Sequence, residues 1–130
     1  MLTSAVLALC DAGAVTAGTY TCRFTGRESG KSIPDYVIIQ HDAADGSVTV
    51  NDPIIKKYLG GPLAGRLKSL NGARALFSWR LPAQKNANGN WIPGVTFSVN
   101  IIRASGKAAI SSNHGGNYKA TRASGACTLE

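Results

Sequence analysis

Between residues 73 and 111 the chain holds two runs of strict alternation. Ala75, Phe77, Trp79 and Leu81 interleave with Leu76, Ser78 and Arg80, and Val95, Phe97, Val99 and Ile101 interleave with Thr96, Ser98 and Asn100. Successive side chains of a strand point to opposite faces, so each run sets an apolar row inward and a largely polar row outward. The stretch between them, Pro82-Ala83-Gln84-Lys85-Asn86-Ala87-Asn88-Gly89-Asn90, is dense in turn formers and reads as a loop. Ser105-Gly106 reverses the chain into a further strand over 107–111. The pattern predicts a three-stranded antiparallel meander.

The rest of the chain follows the same rule. Residues 19–25 alternate Tyr20, Cys22 and Phe24 against Thr19, Thr21, Arg23 and Thr25, which predicts a first strand. A polar loop leads to 36–41, where Val37, Ile38 and Ile39 run unbroken, and Asp42-Ala43-Ala44-Asp45-Gly46 turns the chain into a short strand around Val48 and Val50. The period then changes. Asp52 can cap a helix, Pro53 suits its first position, and Ile54, Ile55, Tyr58 and Leu59 form one apolar side before Gly60-Gly61 ends it. Two turns do not stand alone in water, so this helix is expected to plug one end of a sheet. Strand pattern resumes over 63–70, with Leu63 and Leu67 inward and Arg66 and Lys68 outward, and Asn71-Gly72 turns into the meander. After Ser111, a loop through His114 leads to a strand over 118–122, and Ser124-Gly125 separates it from a short piece around Cys127.

Eight or nine short antiparallel strands and one short helix near 53–59 predict an all-β fold, a small antiparallel barrel of about eight strands. Tyr20, Phe24, Val48, Val50, Leu67, Phe77, Trp79, Val95, Phe97, Val99, Ile101 and Ile110 point inward and suffice to fill it.

Residues 2–14 are small and apolar apart from Thr3, Ser4 and Asp11, and Val15-Thr16-Ala17 supplies the small residues an export peptidase prefers, although no Lys or Arg follows Met1. The expected organisation is an export signal or tail over 1–17 and one barrel domain over 18–130. Removing 1–17 takes Cys10 and leaves Cys22 and Cys127 as a pair. A bond between them brings the first and last strands side by side, which closes the sheet. Oxidised cysteines imply a periplasmic or extracellular location; two buried thiols in a cytosolic protein are the alternative.

Gly18-Thr19-Tyr20 at the start of the first strand resembles the lipocalins, which carry Gly-x-Trp there; the aromatic here is Tyr. The resemblance implies a lipocalin- or calycin-like barrel outline and no particular site. The plan of export signal, about eight strands and one disulfide is similar to that of small bacterial periplasmic inhibitors of metalloproteases.

Charge changes the picture more than composition does. The net charge is +7, and the span from Pro53 to Leu129 carries eleven Lys or Arg and no Asp or Glu. Arg66, Lys68, Arg74 and Arg80 share the outward parity of neighbouring strands, with Lys56, Lys57 and Lys85 near an end. Together they make a candidate anion-binding surface, for which envelope lipid or acidic polysaccharide is the expected partner and nucleic acid a less favoured one, because Phe77, Trp79 and Phe97 point inward. The same charge also serves solubility. Trp91, in the long loop, is a candidate surface contact or a filler of the barrel mouth. His41-Asp42 and Ser111-Ser112-Asn113-His114 hold the residue types of a hydrolytic triad, but no Gly-x-Ser-x-Gly elbow accompanies them. Two histidines without Cys or Glu at ligand spacing point to no metal, and no cofactor motif is present. The expected function is therefore a non-catalytic, exported binding or envelope protein with an anionic partner. A protease-inhibitor-like or small-ligand-carrying barrel is the alternative, and a hydrolase using His41 or His114 stands third.

Overall fold

The computed structural model describes residues 18–26, 29–114 and 120–130, so the expected export segment 1–17 and the expected strand start at Tyr118 lie outside the described residues. In chain order the elements are β1 (Gly18–Thr25), β2 (Tyr36–His41), β3 (Val48–Asn51), helix α1 (Pro53–Leu59), β4 (Leu63–Leu70) and β5 (Arg74–Leu81), then the two-residue β6 (Gln84–Lys85) and β7 (Trp91–Ile92), and last β8 (Val95–Ile102), β9 (Lys107–Asn113) and β10 (Thr121–Leu129). Eight strands close into an antiparallel barrel in the order β1-β10-β9-β8-β5-β4-β3-β2, and β6 and β7 pair as a separate hairpin. Strands adjacent in the chain are adjacent in space, so the predicted meander stands as β5, β8 and β9.

Alternation decides what fills the barrel. Phe77, Phe97, Val99, Ile101 and Ile110 are fully buried, Trp79 stacks on Phe97 with ring centroids 5.5 Å apart, and Tyr20 meets Phe77 edge-on at 5.2 Å. Leu67, expected inward, is only half-buried against this core. The register between β4 and β5 shifts between Leu67 and Ser69, and the bulge leaves both Lys68 and Ser69 exposed. The outward rows carry Arg66, Arg80, Ser124 and Arg122, all exposed. That is the reverse of a membrane-spanning barrel, whose outer band is apolar. Among the described residues, no helix is long and apolar enough to cross a membrane.

The seam of the barrel is β1 against β10, where Cys22 lies directly opposite Cys127. The two form a disulfide across a sequence separation of 105, with Cα atoms 3.9 Å apart and both side chains buried in the core. The seam continues to the C-terminus, where Thr19 and Glu130 exchange backbone hydrogen bonds of 3.0 and 2.9 Å.

One sequence expectation is corrected here. Ser124-Gly125 does not break the last strand; β10 runs unbroken from Thr121 to Leu129. Gly125 lies opposite Phe24, and a Cβ at Gly125 would fall 1.8 Å from the carbonyl oxygen of Arg23. The glycine is there for close approach of two backbones, not to turn the chain.

The two barrel ends differ. At one, β2–β3, β4–β5 and β8–β9 are joined over 42–47, 71–73 and 103–106, close to Gly18 and Glu130. At the other lie the described loop residues 29–35, the connections 52–62 and 82–94, and residues 114 and 120. Ile33 from the first of these and Ile55 from α1 are fully buried, so loop and helix together plug that mouth.

Candidate anion-binding surface

The site is built on the long-connection end, and it starts with the helix. Asp52 is extended, its Oδ1 accepts the N–H of Ile55 at 2.8 Å, and Pro53 occupies the first turn where no N–H is needed. Gly60, at φ 79°, closes the other end by donating its N–H to Lys56 O at 3.1 Å. Ile55 pins the helix to the core, which leaves Lys56 and Lys57 exposed in the last turn. Burial raises the Asp52 carboxyl above its ordinary range, against the lowering effect of the Ile55 and Ile54 N–H groups. Its Oδ2 is buried without a hydrogen-bond partner.

The two helix lysines part company. Lys56 Nζ donates to the Tyr36 hydroxyl at 3.2 Å and lies 5.7 Å from that ring's centroid, while the Arg23 guanidinium approaches the same ring at 5.8 Å. Lys57 turns the other way, with Nζ 5.3 Å from the Tyr58 ring centroid.

The second piece is the β6–β7 hairpin, formed inside the stretch expected to be loop. Asn86 organises its tip. Its Oδ1 accepts the N–H groups of Asn88 and Asn90 at 2.9 and 3.0 Å, and its own N–H reaches Asn90 O at 2.9 Å. Gly89, at φ 84°, supplies the left-handed residue the turn requires. Lys85 then lies opposite Trp91, with Nζ 5.3 Å from the ring centroid. Trp91 is 67% exposed, so it stands on the surface and does not fill the barrel mouth.

Helix and hairpin meet. Lys57, Tyr58, Lys85, Asn86, Ala87 and Asn88 line one shallow cleft of about 390 Å³. A second cleft of about 290 Å³ adjoins it, with Ile54, Tyr58, Ile92 and Pro93 as its apolar lining and Lys31 and Lys57 as its cations. Arg80 belongs to the same end: its Nη1 donates to Thr96 Oγ1 at 3.2 Å, and its Nη2 lies 2.8 Å from where a Cβ on Gly94 would be.

The structure thus divides the residues proposed from sequence. Lys57, Lys85 and Trp91 come together, and Arg80 lies at the base of their hairpin. Arg66 faces outward mid-barrel opposite Ser78, Lys68 sits in the β4 bulge, and Arg74 lies at the other end of β5, opposite Ile102. Lys56 faces Tyr36. Tyr58, Lys31 and Arg122 were not singled out by sequence reasoning. Arg122 shares an outer-wall cleft with Arg80, Thr96, Ser98, Ser111 and Asn113.

The candidate hydrolytic groups are not assembled into one constellation. His41 ends β2 at the tight-turn end, buried with its ring edge-on to Phe77 at 6.2 Å, whereas His114 follows β9 at the long-connection end. Ser112 points into the core, where its hydroxyl is hydrogen-bonded to that of Thr121. Among the described residues, no group of three His, Cys, Asp or Glu is placed to hold a metal ion.

No protein-family model matches the chain, and neither a curated protein nor a solved structure matches it.

Proposed function

We propose that this barrel is an exported, non-catalytic binding protein whose long-connection end receives an anionic partner. The observation that carries the reading is the convergence of Lys57 and Lys85 on one cleft, each cation backed by an aromatic ring. Lys31 and Arg80 extend the positive field on either side. Of the described acids at this end, Asp52 is buried beneath the helix and Asp35 is exposed, while Asp42, Asp45 and Glu130 lie at the other end. Concentrated charge of one sign steers an oppositely charged partner and favours its docking there.

The paired cysteines support export, since disulfides persist in oxidising compartments. The filled interior weighs against a ligand carried inside the barrel, because Phe77, Phe97 and Ile101 already occupy it. The test uses inorganic polyphosphate as a soluble anion, titrated at increasing salt. Binding should weaken steeply as salt screens the exposed lysines. It should be lost in Lys57→Glu/Lys85→Glu and kept in Lys68→Glu/Arg74→Glu. Salt-independent binding, or loss only in the second pair, would overturn the reading.

A further inference from the structure

We infer that the partner is an anionic lipid bilayer surface, met end-on, with the Trp91 indole seated at headgroup level. The inference rests on the anion-binding reading above and narrows its partner.

Trp91 is more exposed than any other large hydrophobic side chain described, and Leu59, the last residue of α1, is 37% exposed at the same end of the barrel. Pro93, two residues beyond Trp91 in the chain, is exposed as well. Trp and Tyr prefer the membrane–water boundary because one part of the ring system is apolar and another donates a hydrogen bond, and lysines around them extend their ammonium groups to headgroup phosphates. Lys85 over Trp91 and Lys57 over Tyr58 reproduce that pairing twice on one surface. The hairpin that presents the indole is already ordered by Asn86, so docking need not order it.

The opposite end provides the contrast. Leu129 and Ile102 are exposed there too, but at that end Asp42, Asp45 and Glu130 offset Arg74, Arg103 and Lys107, so no excess of positive charge draws an anionic surface to it. Single-stranded nucleic acid also suits aromatic rings among cations. It has no use for Leu59, Ile92 and Pro93, whereas a lipid interface takes all three, so the bilayer is favoured.

The experiment uses the disulfide-bonded chain with vesicles of phosphatidylcholine alone or mixed with phosphatidylglycerol. Trp79 is 3% exposed and Trp91 is 67% exposed, so a change in quencher accessibility reports on Trp91. The expected result is co-sedimentation with the phosphatidylglycerol vesicles only, with a blue-shifted emission and protection from aqueous quencher. Lys57→Gln and Lys85→Gln should each weaken association about fivefold, the effect of one basic residue near an anionic surface. Trp91→Ala should abolish the spectral change and weaken binding while leaving the melting midpoint unchanged. Equal binding to both vesicle types, binding with the indole still open to quencher, or tighter binding of a single-stranded oligonucleotide would overturn the inference. If polyphosphate binds and vesicles do not, the bilayer is wrong and the anion site stands; if neither binds, both fall.

Discussion

The two ends of this barrel are made differently from the same kind of strand. The end holding the termini is sealed by short turns whose own side chains satisfy the backbone: Asp42 and Asp45 accept from Ala44 and Ser47 at 2.8 Å, and Asn71 accepts from Ala73 and Arg74 at 2.8 and 2.9 Å. The other end carries the helix, the extra hairpin and the larger share of the exposed cations. The difference teaches how such a fold separates tasks. Register and seam are settled at the tight-turn end and along the wall, and this frees the long connections to hold side chains that contribute little to stability.

The sharpest way to break this comparison is to measure stability on both sides of it. Phe97→Ala should cost about 3–5 kcal/mol in a urea melt, whereas Trp91→Ala should change stability by less than about 0.5 kcal/mol. Comparable losses would mean that the hairpin is part of the core and not a presentation device.

A slightly smaller effect is expected at the seam. Cys22→Ala/Cys127→Ala removes a cross-link spanning 105 residues and should lower stability by up to about 4–5 kcal/mol, the chain-entropy limit, with the realised loss nearer 3. An unchanged melt would show that strand pairing alone holds β1 to β10. Gly125→Ala, which pushes a methyl group into the Arg23 carbonyl, should cost about 2–3 kcal/mol through displaced backbone.

The helix gives a finer test. Asp52→Ala should cost about 1 kcal/mol by removing the cap, while Asp52→Asn keeps an acceptor for the Ile55 N–H. The pH dependence has a definite sign. The folded-state pKa of Asp52 is raised above 3.8, so the stability it contributes is fully present below pH 3.8 and is lost as pH rises through the folded value. The stability difference between the variant and the wild type should therefore move in favour of Asp52→Asn as pH climbs out of the acid range and then stay constant. A difference that moves the other way on raising pH would mean that the carboxylate is favoured in the fold.

Much of the architecture was legible along the chain because a strand writes burial into every second residue. Phe77, Trp79, Phe97 and Val99 announced their inward face by parity alone. The disulfide followed from counting cysteines, and the helix from Asp52-Pro53 and Gly60-Gly61. Gly125 was misleading because a glycine needed for close backbone contact reads the same as one needed for a turn. The Leu67–Ser69 bulge left no mark, since Lys68 and Ser69 are polar in either register. The surface was legible as residue type but not as place. Parity put Arg66 and Arg74 in one outward row without saying that Arg74 would stand at the far end, and nothing near Lys57 in the chain says that barrel closure brings Lys85 to the same cleft. Trp91 did stand out, as an aromatic ring in a polar loop with no strand partner in sight.

The central claim is that one end of the barrel binds anions and the other does not. Amide chemical-shift mapping of the disulfide-bonded protein with inorganic polyphosphate tests it most directly. The account predicts salt-sensitive shifts at Lys57, Tyr58, Lys85, Asn86 and Trp91, with the amides of Asp42 to Ser47 and of Arg103 to Gly106 unmoved. Shifts confined to those tight turns, or spread evenly over the wall from Arg66 to Arg74, would contradict it.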